Sequence, residues 1–356
     1  MRREIVEKEG ENPKVYQDKE RSMKNKIVTL AAGNGASENN VLIETVFYKH
    51  FKNDILLQAG DSALLPQMSK IAFSTDSYTI SPLFFRGGDI GKLSICGTCN
   101  DLAMMGAKPK YLSASFIIEE GFELEKLEQI AESMAQECQK NDVLIVTGDT
   151  KVVGKGYADG VYINTSGIGE LVYEGLGAEK IDEGLAILVS NSIGKHGASI
   201  FAQREGINLV SKLSSDCASL FPLLQGIFAS GIQITALRDA TRGGLAAVLN
   251  EWAKASKKCI HIEEKAVPIC DEVQGICEFL GIEAYSLANE GTFVMALPKE
   301  DAQRALELLR AHPLGMEAQI IGHVDCEYCG KVVLHSGYGT RRFLDMPSGE
   351  ILPRIC

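Results

Sequence analysis

From residue 26 onward the apolar positions fall into two rhythms. Short runs rich in β-branched residues predict strands at 27–30, 71–77, 112–118, 143–147, 160–169, 185–190, 292–297, 319–324 and 331–334. Segments with apolar residues three and four apart predict helices at 39–51, 122–139, 198–204, 217–230, 245–255, 271–280 and 300–311. In 122–139 the buried face is written by Leu124, Leu127, Ile130, Ala131, Met134 and Cys138. A further helix is expected after the Gly-rich turn 85–92, carrying Asn100 and Asp101. Strand–helix alternation of this kind indicates an α/β and α+β protein of two domains, divided at the turn Asp182-Glu183-Gly184. The expected layout is a charged extension over 1–25, domains over 26–181 and 182–335, and a tail over 336–356.

The tail breaks both rhythms. Pro347, Gly349 and Pro353 forbid a helix or a central strand across 346–356, so an extended, mobile strip ending in the thiol of Cys356 is expected. The first 22 residues balance acid against base and contain little that is apolar, which predicts a solvated extension.

Composition narrows the function. The 356 residues, 45% hydrophobic and 23% charged, suffice for two ordinary cores. A net charge of −11 argues against nucleic acid or an anionic membrane as the main partner. No apolar run is long enough to span a bilayer and the N-terminus carries no apolar leader core, so a cytoplasmic protein is expected. Its ten cysteines are then thiols. Two pairs, Cys96/Cys99 and Cys326/Cys329, have CxxC spacing but lie far apart in sequence and are taken as packing or incidental thiols.

Two nucleotide signatures nearly form and fail. A P-loop ending at Lys92 would need glycine at Arg86 and a hydroxyl at Leu93, and a dinucleotide fingerprint after Gly167 and Gly169 would need glycine at Val172. What remains is a set of aspartates beside glycines at element ends: Asp61, Asp76, Asp101, Asp149 and Asp239, with Lys92, Lys151 and Arg242 close by. Each alone is an ordinary turn or cap residue. Together they suit Mg²⁺ held against nucleotide phosphates, because Mg²⁺ prefers hard oxygen ligands.

The stretches FFRGGDIGKLSICGTCNDLAMMGAKP (84–109), VTGDTKVVGKG (146–156), SIGKHGASIFAQREG (192–206), DATRGGLAAVLNEWA (239–253), LANEGTFV (287–294) and the terminal PRIC (353–356) add a resemblance. Together they resemble the HypE family, carbamoyl dehydratases of nickel–iron hydrogenase maturation, in the superfamily of aminoimidazole ribonucleotide synthetase, selenophosphate synthetase and thiamine-monophosphate kinase. The likeness covers about residues 26–356, and the PRIC tail is its most specific part. It implies a two-domain PurM-like fold, a homodimer with nucleotide in the cleft between domains, and ATP with Mg²⁺ as cofactors. It further implies that Cys356 receives a carbamoyl group from the carbamoyltransferase HypF. The carboxamide is dehydrated to a thiocyanate at the expense of ATP, and the cyano group passes to a HypC–HypD iron scaffold.

Carried over to this chain, Asp61, Asp76, Asp101, Asp149 and Asp239 would be the Mg/ATP ligands, with Lys92, Asn100 and Thr150 as nearby donors. Lys151 and Glu290 would move protons, and Cys356 would carry the substrate. Two alternatives stay open: a sister ATP-dependent enzyme such as a selenophosphate synthetase or small-molecule kinase, and a non-enzymatic carrier that presents a modified Cys356.

Overall fold

The computed structural model describes residues 27–33, 37–60, 62–207, 213–348 and 354–356. Asp61, the charged extension and the middle of the tail lie outside the described residues.

The first domain is a four-stranded sheet of order β1-β6-β4-β5, with β1 Ile71–Tyr78, β4 Ala107–Glu119, β5 Leu144–Val153 and β6 Val161–Leu171. A two-residue hairpin, β2 Phe84–Phe85 with β3 Gly88–Asp89, feeds its central helix. One helical run, α1, joins an α segment Ser37–Leu42, a π-helical stretch Ile43–Tyr48 and a closing turn Lys49–Phe51. Helices α2 Ile90–Met104 and α3 Leu124–Lys140 cover one sheet face. α2 starts where the Asp89 carboxylate accepts the amides of Gly91 and Lys92, a standard N-cap, and it is buried along almost its whole length.

The other sheet face is open. Phe73 is 66% exposed, and Ile71, two residues before it, and Ile117, farther along on β4, are also exposed apolar side chains. Period-2 alternation puts Thr75, Asn164, Ser166, Asp149 and Lys151 on this open face, while Asp76 and Thr165 point to the α2 side.

The second domain holds a seven-stranded sheet of order β13-β12-β9-β11-β7-β10-β8. Its strands are β7 Leu185–Val189, β8 Ala236–Asp239, β9 Cys259–Glu263, β10 Phe293–Pro298, β11 Gln319–Asp325, β12 Val332–His335 and β13 Arg341–Phe343. Helices α5 Phe221–Ala229 and α8 Lys299–Arg310 pack on one face, and α4 Lys195–Arg204, α6 Gly244–Ser256 and α7 Asp271–Leu280 on the other. The central strands β7 and β10 are therefore apolar at consecutive positions, as strands covered on both sides must be.

Several expectations are corrected. Residues 27–30 form no strand: Ile27 makes a single bridge to Glu123 and a 3₁₀ turn follows over Leu30–Gly33. The 143–147 strand does not end before Gly148; β5 runs on to Val153, so Asp149, Thr150 and Lys151 are ladder residues along an edge. β8 and β9 lacked a sequence signal because they are short and their polar residues, Asp239 and the buried His261, interrupt the apolar run. Among the described residues no helix is long and apolar enough to cross a membrane.

Candidate active site at the domain junction

The end of the chain lies between the domains. Its last three residues are not a free strip: they run beside 79–81, the Thr79 amide donating to the Cys356 carbonyl at 3.0 Å and the Ser81 amide to the Arg354 carbonyl at 3.3 Å. Ile355 is buried in the first domain's core cluster, with Cys356 packed against it. Arg354 donates through Nε to the Thr79 carbonyl at 2.8 Å, pairs with Asp159 and lies over the Tyr162 ring. From the second domain, Arg204 donates to the Ser81 and Arg354 carbonyls.

His196, fully buried near the start of α4, completes the clasp. Its Nε2 is 2.7 Å from the Ile355 carbonyl and its Nδ1 is 2.7 Å from the Ser215 hydroxyl. A carbonyl only accepts, so Nε2 carries the proton and Nδ1 accepts from Ser215. Burial lowers the His196 pKa and keeps the ring neutral. Replacing His196 with alanine leaves two buried polar groups without their partner, at a cost of about 1–3 kcal/mol. Trypsin is therefore expected to release the Ile355-Cys356 dipeptide about tenfold or more faster from that variant than from the wild type; equal rates would remove His196 from the clasp.

Around the thiol stands a group of acids. Burial, then the Glu290 carboxylate, pushes the Cys356 thiol up to about 12, with Asp76 adding to the rise and the Arg242 cation opposing it. Docking thus favours the thiol. It is at full strength below the ordinary thiol value and weakens as pH rises through the docked value. Iodoacetamide, which needs thiolate, should label docked Cys356 far more slowly at about pH 8 than an unfolded control, and His196→Ala should close that gap.

Glu290 is 3% exposed, and its Oε1 has no hydrogen-bond partner. Burial, then Asp239, Asp216 and Asp76, raise its pKa well above the ordinary carboxylate value. Asp239, at the end of β8, is pushed up to about 7 by burial and then by Asp101. Asp101, on α2, is also raised, mainly by burial, although Ser74 donates to it at 2.6 Å. Asp76, Asp101, Asp239, Glu290 and Cys356 thus share one electrostatic neighbourhood drawn from both domains and the tail.

Two residues that sequence reasoning passed over hold this group in place. Asp216 accepts from the amides of Glu290 and Gly291 and from the Thr292 hydroxyl, at 2.8–3.0 Å. Its backbone comes so close that a Cβ on Gly291 would lie 1.8 Å from the Asp216 carbonyl oxygen, hence glycine there. Ser215 links His196 to Arg86 of the first domain, its amide donating to the Arg86 carbonyl at 2.8 Å.

The other predicted residues lie elsewhere. Asn100, expected to face the nucleotide, spends its amide on the Ala218 and Glu290 carbonyls and accepts from the Leu220 amide, so it is a joint between domains. Lys92 donates to the Gly87 carbonyl at 2.9 Å, beside the domain contact. Asp149, Thr150 and Lys151 are on β5. The register Asp76–Thr165–Ala114–Gly148 puts three strand spacings, about 14 Å, between this edge and Asp76. Asp149 and Lys151 face the open side, paired at 2.7 Å, and that hydrogen bond lowers the Asp149 pKa. Thr150 turns inward, beside Phe47 and Phe116 in a cleft under α1. A single chain does not gather all the predicted ligands.

Comparison with known proteins agrees with this architecture. Residues 59–171 match the N-terminal domain of AIR synthase related proteins, and 182–334 match the C-terminal domain. The carbamoyl dehydratase HypE of Rhodobacter capsulatus is 43% identical over 340 residues, 94% of this chain and 100% of the relative. A crystal structure of the hydrogenase maturation protein HypE in complex with ATP superposes with a TM-score of 0.89 at 43% identity, covering 92% of this chain and 99% of that one. A HypE chain from a HypE–HypF complex gives 0.75 at 45% identity, covering 86% and 99%. With both domains matched in order and relatives similar over their full length, this chain belongs to the HypE family, carbamoyl dehydratases of hydrogenase maturation built on a two-domain PurM-like fold.

Proposed function

We propose that the chain uses ATP to dehydrate an S-carbamoyl group on its own Cys356, leaving a thiocyanate. The observation that carries this reading is the docked tail: the terminal sulfur is held in a buried acid neighbourhood where it feels the charge of Glu290, whose Oε1 has no hydrogen-bond partner. The balance is simple. The carboxamide oxygen attacks the γ-phosphorus and ADP leaves. Both N–H protons are then lost, and phosphate departs with the former amide oxygen as C≡N forms. Phosphorylation matters because an amide oxygen is otherwise a poor leaving group. Glu290 and Lys151 are the groups proposed to move the protons, a contribution of about 10²–10⁴ for a placed acid or base.

Mg²⁺ fits the donors. Asp76, Asp101 and Asp239 offer hard oxygens whose mutual repulsion a divalent cation would relieve, and Asp61 and Asp149 are proposed as further ligands. The ion would neutralise phosphate charge. Without it, the raised carboxyls of Asp101 and Asp239 contribute stability that is present below their unfolded values and is lost as pH rises, toward about 7 for Asp239. Metal-free protein should therefore melt higher at about pH 5.5 than at about pH 8, and Mg²⁺ should narrow that gap. An unchanged gap would remove the acids as its ligands.

The open sheet face supports a homodimer. Packing two such faces together would cover Phe73 and Ile117 and bring the Asp149–Lys151 edge of one protomer toward the acid group of the other. The proposed partners are the carbamoyltransferase HypF, with which a relative has been crystallised, and a HypC–HypD iron scaffold that takes the cyano group. A cytoplasmic location suits all three. ¹⁸O in the carboxamide gives the test. The label should appear in the released phosphate; label released only as water would exclude phosphorylation of that oxygen.

A further inference from the structure

A second cluster of reactive side chains lies in the second domain, on a sheet face that α5 and α8 leave uncovered. β9 carries Cys259 and His261 two residues apart, hence on one face, and β11 lays Asp325 directly across from Cys259 and His323 across from His261. The parallel neighbour β12 adds His335 one step along. The opposite face of the same strands, Ile260, Ile262, Val324 and Leu334, is domain core, which fixes the register and therefore the cluster. Four strand spacings, about 19 Å, separate β9 from β8 and Asp239, so this cluster has no part in the site at the domain junction.

Three lone-pair atoms converge here. Cys259 Sγ is 3.3 Å from His261 Nε2, Asp325 Oδ1 is 2.9 Å from the same nitrogen, and all three lie within 4.8 Å of one another. Tetrahedral bonds of about 2.3 Å to sulfur and about 2.0–2.2 Å to nitrogen and oxygen would put neighbouring ligand atoms roughly 3.4–3.6 Å apart, close to this arrangement. The outer contacts fit as well. His261 Nδ1 is 2.8 Å from His335 Nε2, an orienting hydrogen bond that directs Nε2 inward, and the Glu327 amide donates to Asp325 at 2.8 Å. A fourth position is left to water or to the Glu327 carboxylate, 3.8 Å from His261 Nε2. Cys259 and His261 are buried, so the pair is prearranged by the sheet.

We propose that Cys259, His261 and Asp325 bind one late first-row divalent cation, Zn²⁺ by the chemistry of the set. Thiolate, imidazole and carboxylate together suit Zn²⁺ and exclude Mg²⁺ or Ca²⁺, which take oxygen alone. Binding expels the Cys259 proton to solvent and ties β9 to β11. The exposed pair Cys326 and Cys329 lies on the loop that follows β11, but Cys326 is turned to Glu183 and Lys258 and is not a ligand.

The test uses untagged full-length protein, stripped with EDTA and titrated with Co²⁺, then with Zn²⁺. The expected result is one equivalent of tetrahedral Co²⁺ with a sulfur-to-cobalt charge-transfer band, displaced by one equivalent of Zn²⁺. Cys259→Ser should lose that band, and Asp325→Asn should keep it while binding Zn²⁺ about 10–100-fold more weakly. The double variant Cys326→Ser, Cys329→Ser should keep both band and affinity. No stoichiometric Co²⁺ binding, a band that survives Cys259→Ser, or a band lost only in the double variant would each overturn the assignment. The last outcome would move the metal to the loop thiols.

Discussion

Cys356→Ser is expected to abolish thiocyanate formation completely while ATP still binds. In the proposed reaction the sulfur carries the group being dehydrated. The clasp is made by the main chain, the Cys356 carbonyl accepting from the Thr79 amide and the Ile355 carbonyl from His196 Nε2, so serine leaves it in place but offers no thiol to carbamoylate. The acid group at the domain junction and the β5 edge do not include Cys356, so nucleotide affinity measured by calorimetry should be unchanged within error. Loss of both together would mean that the variant had disturbed the fold, and retained thiocyanate would mean another residue carries the substrate.

The second large effect concerns Glu290. Glu290→Gln keeps the shape and the backbone bonds to Asp216 but fixes the side chain in a neutral form that cannot accept a proton. Single-turnover dehydration of the carbamoylated protein should slow by about 10²–10⁴, with the melting temperature unchanged or raised, because a buried acid with an unpaired oxygen no longer has to ionise. Lys151 adds a sharper form of the test. In one chain it faces the open side of the sheet, away from Cys356, so it reaches the site only across a dimer. Mixed dimers of Lys151→Ala with Glu290→Gln then recover one competent site of two, although each parent is slowed at both. No recovery would confine Lys151 to its surface pair with Asp149.

Much of this site could be read in the chain because its acids sit where pattern breaks. Asp76, Asp101 and Asp239 interrupt apolar segments, and Glu290 follows Asn289 just before the buried strand β10. Strand and helix types were equally plain wherever one face was apolar, as in α3 and α7. What stayed hidden has a common cause. His196 and Asp216 act through contacts between segments distant in sequence, and nothing local marks a histidine or an aspartate as a clasp. The separation of Asp149 and Lys151 from the other acids was hidden likewise, since it depends on strand order in the sheet. A Gly-Asp-Thr-Lys stretch reads as a loop, yet it forms the edge of a ladder because the neighbouring strand β4 supplies its partners.

The central claim is that the tail sulfur is the place of reaction. Mass spectrometry of the C-terminal peptide after carbamoylation, with and without Mg-ATP, tests it directly. The account predicts that the Cys356 adduct loses the mass of one water only when Mg-ATP is present. An adduct that keeps its mass while ATP is consumed would contradict it.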